Sequence, residues 1–483
     1  MKKSIIYIIS IFLLFPSCSQ DFIDLIPVST VTIEFIYKTD KDFLDAMTGI
    51  YQPIRNQYNN FYIFGDIRAD DSWVEIPKNN SASYSDRFTL NSADGLLNDT
   101  WNRYYQAIFR ANMLLTKIEE ANDTDVPNKT RYIAEARFLR ALCYFDLVRI
   151  FGDVPAVTQP LSVPEAYKTP RNPVASIYND IIIPDFQVAE SGLRASYSGS
   201  DIGRPTIGAA KAILGRVYLT MGDFTKAESK LNEVTTLGYQ LVDDYNKLFD
   251  YTNKRHSEYI FNIEYHGGVN GGSPFTNAFM PNYNAMTDFF GIAGYGDEWN
   301  SPSRELYNLF EADDLRKEIS VGILGGYYDA NGTWGSIPPN TSQTYTKKYI
   351  ARNPSRNDSP ADWKVIRYGD VVLMLAEAMN ENGKTAQAIP LLNSIRKRAG
   401  VSEYTTTMNQ GETRDAIVLE RRLELSFEGV RWFDLVRTGK AYEVMKDKDP
   451  PMSAEYMTLF PLPLSQVQLI NDKTIFPQNP FYQ

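Results

Sequence analysis

A pattern that predicts a pair of packed helices occurs twice in this sequence. Its first copy lies between Pro205 and Gly238, where Gly222 separates two segments of helical spacing. Gly215 has no side chain and lets the two helices approach closely. The other residues expected at the contact are Leu214, Tyr218, Ala227, Leu231 and Val234. A chain with this pattern must place two helices side by side.

The second copy lies in the C-terminal half of the chain. Its small and large apolar residues are Leu375, Ala376, Met379, Ala388, Leu392 and Ile395. Pro390 falls within the second helix of this pair, in its first turn or two, where proline is tolerated. Both copies have tetratricopeptide spacing. We therefore predict one superhelical scaffold assembled from both halves of the chain.

Further helical patterns make the predicted fold mostly α. Residues with helical spacing begin at Phe43 and continue to Ile54. Asn98 or Asp99 is expected to cap a long helix that ends near Ala121. Another is expected to run from Pro127 to Phe151, where Gly152, Asp153 and Pro155 end it.

Two stretches lack this periodicity. Residues 251–360 are rich in Gly, Pro, Asn and Tyr and predict a loop-rich insertion. Residues 68–98, which contain Trp73, form a second irregular stretch, and residues 19–40 are expected to form an extended tether. Binding residues usually lie on loops held by a rigid frame, so both irregular stretches are candidates for a site.

The first 18 residues predict an export signal. Lys2 and Lys3 precede an apolar run from residue 5 to residue 15, which is shorter than the roughly 20 residues that span a bilayer. Ser17 and Cys18 follow, so we expect residues 1–17 to be a lipoprotein signal peptide and Cys18 to carry lipid. The alternative is an ordinary secretory signal in which Cys18 is incidental.

Removal of residues 1–17 would change the formal charge from -10 to -12 and leave 466 residues. Such an acidic chain is a poor partner for nucleic acid. With Cys18 acylated, Cys143 has no disulfide partner and is expected in the core. The composition, 43% hydrophobic, is sufficient for one large core or two closely packed domains.

Six segments, in order, resemble one family. Residues 134–155 read AEARFLRALCYFDLVRIFGDVP, and residues 419–437 read LERRLELSFEGVRWFDLVR. The others are residues 100–115, 367–383 and 391–401 and the tail from residue 459. Together they resemble the SusD/RagB family of outer-membrane nutrient-binding lipoproteins, and the resemblance spans the whole mature chain.

The resemblance implies a tetratricopeptide-like scaffold beside an irregular ligand-binding region, with residues 18–250 forming the N-terminal helical region and 251–483 the C-terminal region. It also implies a non-enzymatic protein without cofactors, anchored by lipid on the outer-membrane surface. Its partner would be a SusC-like TonB-dependent porin, to which it delivers an oligomeric nutrient. A glycan is the favoured nutrient; a peptide-binding member and a structural cap of the porin with little ligand affinity are the alternatives. Asp21 agrees with a surface-export signal.

Aromatic residues in loop-like sequence are the leading ligand candidates. An indole face suits the apolar face of a pyranose ring. The candidates are Trp73, Trp299 and Trp334, followed by Tyr283 and Tyr295, which share the insertion with Asn277, Asn282 and Asn284. The alternative for each is that it packs the loop against the scaffold. Trp101, Trp363 and Trp432 lie in helical or signature segments and are expected in the core.

The residues that would support catalysis or metal binding are poorly placed in the sequence. Asp70 with Asp71, or Asp313 with Asp314, are adjacent rather than spaced as glycosidase carboxylates. The chain has two histidines, His256 and His266, so a histidine triad or multi-histidine metal site is not expected. A calcium ion bound by a loop that contains Asp and Asn is an open alternative. The signature arginines 137, 140, 149, 421, 422 and 431 are expected to form ion pairs along and between helices, with Glu135, Asp146, Glu420, Glu424, Glu428 and Asp434 as partners.

Overall fold

A computed structural model describes residues 37–75, 78–268, 271–282, 287–288, 290–323, 327–328, 334–335, 344–448, 451–480 and 482. For residues 327–328 and 334–335 it describes the backbone. The predictions for the signal peptide, for Cys18 and for residues 19–36 of the extended tether concern residues outside these ranges. Among the helices that are described, none is both long and apolar enough to cross a membrane.

Helices account for most of the regular structure. In chain order they are α1 (Asp40–Tyr58), α2 (Phe61–Gly65), α3 (Ser81–Asp86), α4 (Gly95–Glu120), α5 (Lys129–Phe151), α6 (Val163–Ala166), α7 (Val174–Ile177), α8 (Ile183–Gly192), α9 (Ile207–Thr220), α10 (Phe224–Thr235), α11 (Phe275–Phe279), α12 (Arg304–Leu309), α13 (Lys317–Ser320), α14 (Tyr368–Glu381), α15 (Thr385–Ala399), α16 (Gln410–Glu424), α17 (Arg431–Arg437), α18 (Ala441–Met445) and α19 (Leu464–Ile470). The mostly α prediction is confirmed.

The strands are short and pair two by two. They are β1 (Ser72–Trp73), β2 (Val154–Pro155), β3 (Arg171–Asn172), β4 (Tyr259–Ile263), β5 (Ser301–Pro302), β6 (Val321–Ile323), β7 (Tyr327–Tyr328), β8 (Trp334–Gly335), β9 (Thr344–Thr346) and β10 (Trp363–Arg367). The antiparallel pairs are β1 with β5, β2 with β3, β4 with β10, β6 with β9, and β7 with β8. These pairs fasten loops to one another.

The long helices pack side by side in one continuous array. Successive contacts join α1, α4, α5, α8, α9, α10, α14 and α15, and α16 packs on both α14 and α15. The main hydrophobic core follows this array and reaches the short elements beside it. Because α10 from the N-terminal half packs on α14 from the C-terminal half, both halves build one scaffold, as predicted.

The two predicted helix pairs are present. In the first pair, α9 and α10, a Cβ on Gly215 would lie 2.6 Å from a methyl carbon of Leu231, so a larger residue would force Leu231 to move. Gly222 separates the helices with φ of 76°, a left-handed conformation that suits glycine. In the second pair, α14 and α15, Pro390 lies on the exposed side of the second turn. The tetratricopeptide-like prediction is therefore confirmed.

Some helix starts differ from the predictions. Helix α4 begins at Gly95, because the Asp94 side chain accepts a hydrogen bond of 2.8 Å from the Leu96 amide and caps the helix. The predicted cap at Asn98 or Asp99 was wrong by one turn. Helix α5 begins at Lys129 rather than Pro127, and it ends at Phe151 as predicted, followed by Gly152 with φ of 75°.

The insertion is loop-rich, but parts of it belong to the core. In β4, Ile260, Phe261 and Ile263 are buried. The ring of Phe275 lies 5.1 Å from that of Trp363, centroid to centroid. The three tryptophans expected in the core, Trp101, Trp363 and Trp432, are at most 4% exposed, and Cys143 is a buried free cysteine. These core predictions are confirmed.

The signature arginines pair with carboxylates, but most partners come from elsewhere in the chain. Arg149 contacts Asp146, and Arg421 contacts Asp434 at 2.9 Å, as nearby pairing predicts. Arg137 and Arg140 instead share Asp185, each at 2.7 Å. The sequence therefore predicted that these arginines form ion pairs. Which carboxylates they contact depends on the fold.

A buried ion-pair network joins the insertion to the scaffold. At its centre Arg367 contacts Glu424 at 2.6 Å, Glu428 at 2.8 Å and Glu258 at 3.2 Å. Arg398 contacts Glu258 at 2.8 Å and Glu424 at 2.5 Å. Further members are Arg316, Lys348, Asp314, Glu420 and Arg396. Every charge at the centre of the network thus has a partner, which burial of charges requires.

These partners control the ionisation of the glutamates. Burial acts to raise the pKa of Glu428, but Arg367 and Lys348 outweigh it and lower the pKa to about 2 from an ordinary value of 4.5. Burial likewise opposes ionisation of Glu424, and Arg398, Arg367 and Arg316 together lower its pKa well below the usual range. Both side chains are therefore carboxylates at neutral pH.

Acid should weaken the fold through this network. Because both glutamates have a lower pKa in the folded chain than in the unfolded chain, the unfolded chain binds more protons as the pH falls. We expect the free energy of unfolding, measured with urea, to be level near neutrality and to fall between about pH 4.5 and pH 2.

Two variants make this test specific. Glu428→Gln should lose about 3–5 kcal/mol of stability at pH 7, because it leaves buried cations without their partner, and should show a shallower acid dependence. Asp45→Asn breaks an exposed pair with Lys41 and should change stability by at most about 1 kcal/mol. An acid profile that is identical in the wild type and in Glu428→Gln would contradict the assignment.

Candidate ligand-binding face

Trp73 lies at the end of β1 with 39% of its surface exposed. Its backbone is held by a neighbouring segment of the insertion: Trp73 pairs with Ser301 across the two strands. The pairing continues on both sides, with the Ser303 amide donating to the Asp71 carbonyl at 2.8 Å and the Glu75 amide donating to the Glu298 carbonyl at 3.3 Å. The two irregular stretches of the sequence thus meet at Trp73.

Ion pairs fasten the Trp73 loop to the scaffold. Arg431 donates to both carboxylate oxygens of Asp70, each at 2.8 Å. Arg422 contacts Asp70 at 2.9 Å and also contacts Asp71. The adjacent acids Asp70 and Asp71 are therefore bound by two arginines from the signature segment, and they position the loop.

A pocket of about 460 Å³ opens beside Trp73. Its lining residues are Asp70, Trp73, Ser303, Arg304, Glu305, Val444, Asp447 and Lys448. The indole supplies a flat apolar wall, and the charged and hydroxyl side chains can bond the hydroxyls of a ligand. The volume lies within the range of small-molecule sites. We call this pocket and the exposed Trp73 ring the Trp73 face.

Tyr295 lies on the same insertion segment and is 53% exposed. The guanidinium of Arg356 lies 4.1 Å from the centre of its ring, and Arg356 also bonds Asp297 at 2.7 Å. Burial raises the pKa of Asp297, although Arg356 favours its charged form. Tyr295 therefore presents a supported ring to solvent, as a stacking residue would.

Trp299 is only half-buried and packs against the main core. Its backbone amide donates to the Ala278 carbonyl at 2.8 Å. Its indole nitrogen is buried and has no hydrogen-bond partner among the described residues. This placement agrees better with the packing alternative than with direct stacking on a ligand.

The asparagines of the insertion shape the loop. Asn277 is fully buried, and its amide donates to the carbonyls of Ala293 at 3.0 Å and Tyr295 at 3.1 Å. It also accepts a hydrogen bond of 2.8 Å from Asn353. The Asn282 backbone amide donates to Glu298 at 3.2 Å. Asn277 thus fixes the position of Tyr295 and has no free group for a ligand.

The structure does not describe the side chains of two further candidates, Tyr283 and Trp334. Tyr283 and Asn284 lie outside the described residues. The backbone of Trp334 belongs to β8 and is opposite Tyr328 of β7. Their roles stay predictions.

Several pocket residues were missed in the sequence. Val444, Asp447 and Lys448 lie more than 350 residues from Trp73 in the chain, and no local pattern connects them to it. For the other lining residues the sequence did contain a signal: the charged residues Arg304 and Glu305 follow the candidate Trp299 in the loop-rich insertion.

Glu75, two residues after Trp73, is partly desolvated. Burial, followed by the neighbouring Glu298 carboxylate, raises the pKa of Glu75. Among the side chains that the structure describes, no group of three His, Cys, Asp or Glu residues is arranged to hold a metal ion. The side chains that line the face offer hydrogen bonding, charge and aromatic stacking to a ligand.

The fold is that of a helical-repeat protein, and the Trp73 face gives it a surface pocket of ligand size. Two family models match the chain: "Starch-binding associating with outer membrane" over residues 21–219 and "SusD family" over residues 324–482. They cover both halves of the scaffold, including both signature segments. The chain belongs to the SusD/RagB family.

Similar proteins extend over the whole chain. SusD-like protein P2 of Formosa agariphila is 28% identical over 531 aligned positions, covering 100% of each chain. The solved structure of a laminarin-binding SusD-like protein has a TM-score of 0.79 and 29% identity, covering 92% of this chain and 100% of that one. Surface glycan-binding protein A of Bacteroides thetaiotaomicron, solved with laminarihexaose, has a TM-score of 0.77 at 22% identity, covers 92% of this chain and 100% of that one, and shares the fold.

Proposed function

We propose that this protein captures an oligosaccharide at the Trp73 face. The observation that carries the proposal is the exposed indole of Trp73 beside a pocket of about 460 Å³ that is lined by Arg304, Glu305 and Asp447. A flat apolar wall beside hydrogen-bonding groups matches a sugar, which has an apolar ring face and hydroxyls at its edge. The role is capture without chemical conversion.

The arrangement favours an oligomeric ligand. Tyr295 is a second exposed ring on the segment that pairs with the Trp73 loop, so a chain of sugars could contact both rings. The relative described as laminarin binding, at 29% identity, makes a β-glucan the first ligand to test. Trp334 and Tyr283 remain proposed contributors, and Trp299 is proposed as a supporting wall.

The Trp73 face can be tested by calorimetric titration of the lipid-free protein with laminarihexaose. We expect Trp73→Ala to weaken binding about tenfold or more, since it removes the stacking wall, and Tyr295→Ala to weaken it less. The melting temperature should hardly change, because both rings are exposed.

Tyr167→Ala is the matched control: this ring is 44% exposed, and it does not line the pocket beside Trp73. Its substitution should leave the affinity unchanged. Heat with a mixed peptide digest alone would transfer the assignment to peptide capture. No heat with any ligand would favour the structural cap of a porin.

We further propose that the captured oligosaccharide passes to a TonB-dependent porin in the outer membrane. The lipoprotein signal supports this step, since lipid on Cys18 would tether the binding domain at the surface. A matching family model is described as associating with the outer membrane.

Cys18→Ala tests the tether in cells. We expect the variant to leave the membrane fraction and to abolish glycan uptake, while the purified domain keeps the affinity of the wild type, because the substitution removes the lipid and changes no residue of the Trp73 face. Cell fractionation and uptake of labelled oligosaccharide measure both effects. Undiminished uptake by cells that carry only the variant would count against the proposed delivery.

A further inference from the structure

A second cavity, of about 330 Å³, lies between α1, the turn at residues 200–204 and the end of β4. We call it the α1–β4 cleft. Its lining includes Thr48, Tyr51, Arg55, Ile202, Asn262 and His266. It shares no lining residue with the pocket beside Trp73, so it is a separate feature of the described surface.

Arg55 is the distinctive residue of this cleft. It is half-buried, and its guanidinium makes no hydrogen bond or ion pair with the residues that the structure describes. Arg87 and Arg352 also lack such partners, but both are exposed to solvent. A guanidinium without an acceptor in the protein is free to bond an anion that enters the cleft.

The other charged groups around the cleft are already paired. Arg204 bonds Glu135 at 2.6 Å and Asp201 at 2.8 Å. Glu264 accepts a hydrogen bond of 3.1 Å from the Tyr259 hydroxyl and contacts Arg255. The charge of Arg55 is therefore the unbalanced one, and it gives the cleft a preference for a negative group.

A second polar group also lacks a partner. Asn262 is 6% exposed, and its side-chain amide makes no hydrogen bond with the described residues. Because this amide has no partner in the protein, it is free to bond a polar group of a ligand that enters the cleft. Beside it the cleft has an apolar wall, formed by the half-buried ring of Tyr51, by Ile202, which is 48% exposed, and by Ile263.

We propose that the α1–β4 cleft is a second ligand site, which takes an acidic monosaccharide unit with a carboxylate or sulfate ester. The acidic group would accept from Arg55, a hydroxyl would bond Asn262, and the ring would lie against Tyr51. The cleft has the volume of a small-ligand site. This site does not depend on what binds at the Trp73 face.

The test is calorimetric titration of the lipid-free protein with methyl glucuronide and with glucose 6-sulfate, beside the neutral methyl glucoside. We expect the acidic sugars to bind and the neutral one to bind at least tenfold more weakly. Arg55→Gln should weaken acidic-sugar binding by about 10- to 100-fold, the range of a charge-assisted hydrogen bond, and Arg55→Lys should restore part of it. The fold should be unaffected, because Arg55 has no side-chain partner to lose, and the melting temperature checks this.

Arg87→Gln removes an exposed arginine outside the cleft and should leave binding unchanged. Trp73→Ala should also leave acidic-sugar binding unchanged, which separates this site from the proposed function. Unchanged affinity in Arg55→Gln, or equal affinity for methyl glucoside, would overturn the proposal. Equal affinity for sodium acetate or sodium sulfate would overturn the assignment to a sugar, since a free anion would then suffice.

Discussion

The buried contacts of Arg367 with Glu424, Glu428 and Glu258 are the interactions on which the described structure most depends. They join the segment before β4, the end of β10 and the end of α16, and Arg398 adds α15 to the same centre. Removing several charges from water is expensive, and mutual contact compensates for the cost only when every partner is in place. The network therefore requires the insertion and the scaffold to adopt one relative position.

This constraint extends to the Trp73 face through the residues that follow the network. After Glu428, the Gly429 amide donates to Asp66 at 2.8 Å, and Arg431 then binds Asp70, three residues before Trp73. Gly429 has φ of 73°, and a Cβ there would lie 2.7 Å from the Trp363 ring, so the close approach needs glycine. One signature segment thus links the buried charges to the exposed indole. A rigid site of this kind loses little conformational entropy on binding.

Sequence patterns were sufficient to predict the scaffold because paired helices require apolar and small residues at regular helical spacing. Gly215, Gly222 and Leu231 took the places expected of them. The proposed ligand face was predicted only in part: exposed Trp73 and Tyr295 were identifiable as aromatics in loops, whereas the half-buried placement of Trp299 depends on how the loop folds back on the core. The pairing of Asp70 with Arg431 spans about 360 residues, so no local pattern could have indicated it. Long-range contacts of this kind are decided by the assembled fold.

A crystal structure of the protein with laminarihexaose tests the central claim most directly. The account predicts a sugar ring parallel to the Trp73 indole, with hydroxyls bonded to Arg304, Glu305 or Asp447, and the loop at residues 68–75 in the same position as in the free protein. An oligosaccharide bound at another surface while Trp73 stays exposed to solvent would contradict it. So would a sugar at Trp73 that binds only after the ion pairs of Asp70 have separated.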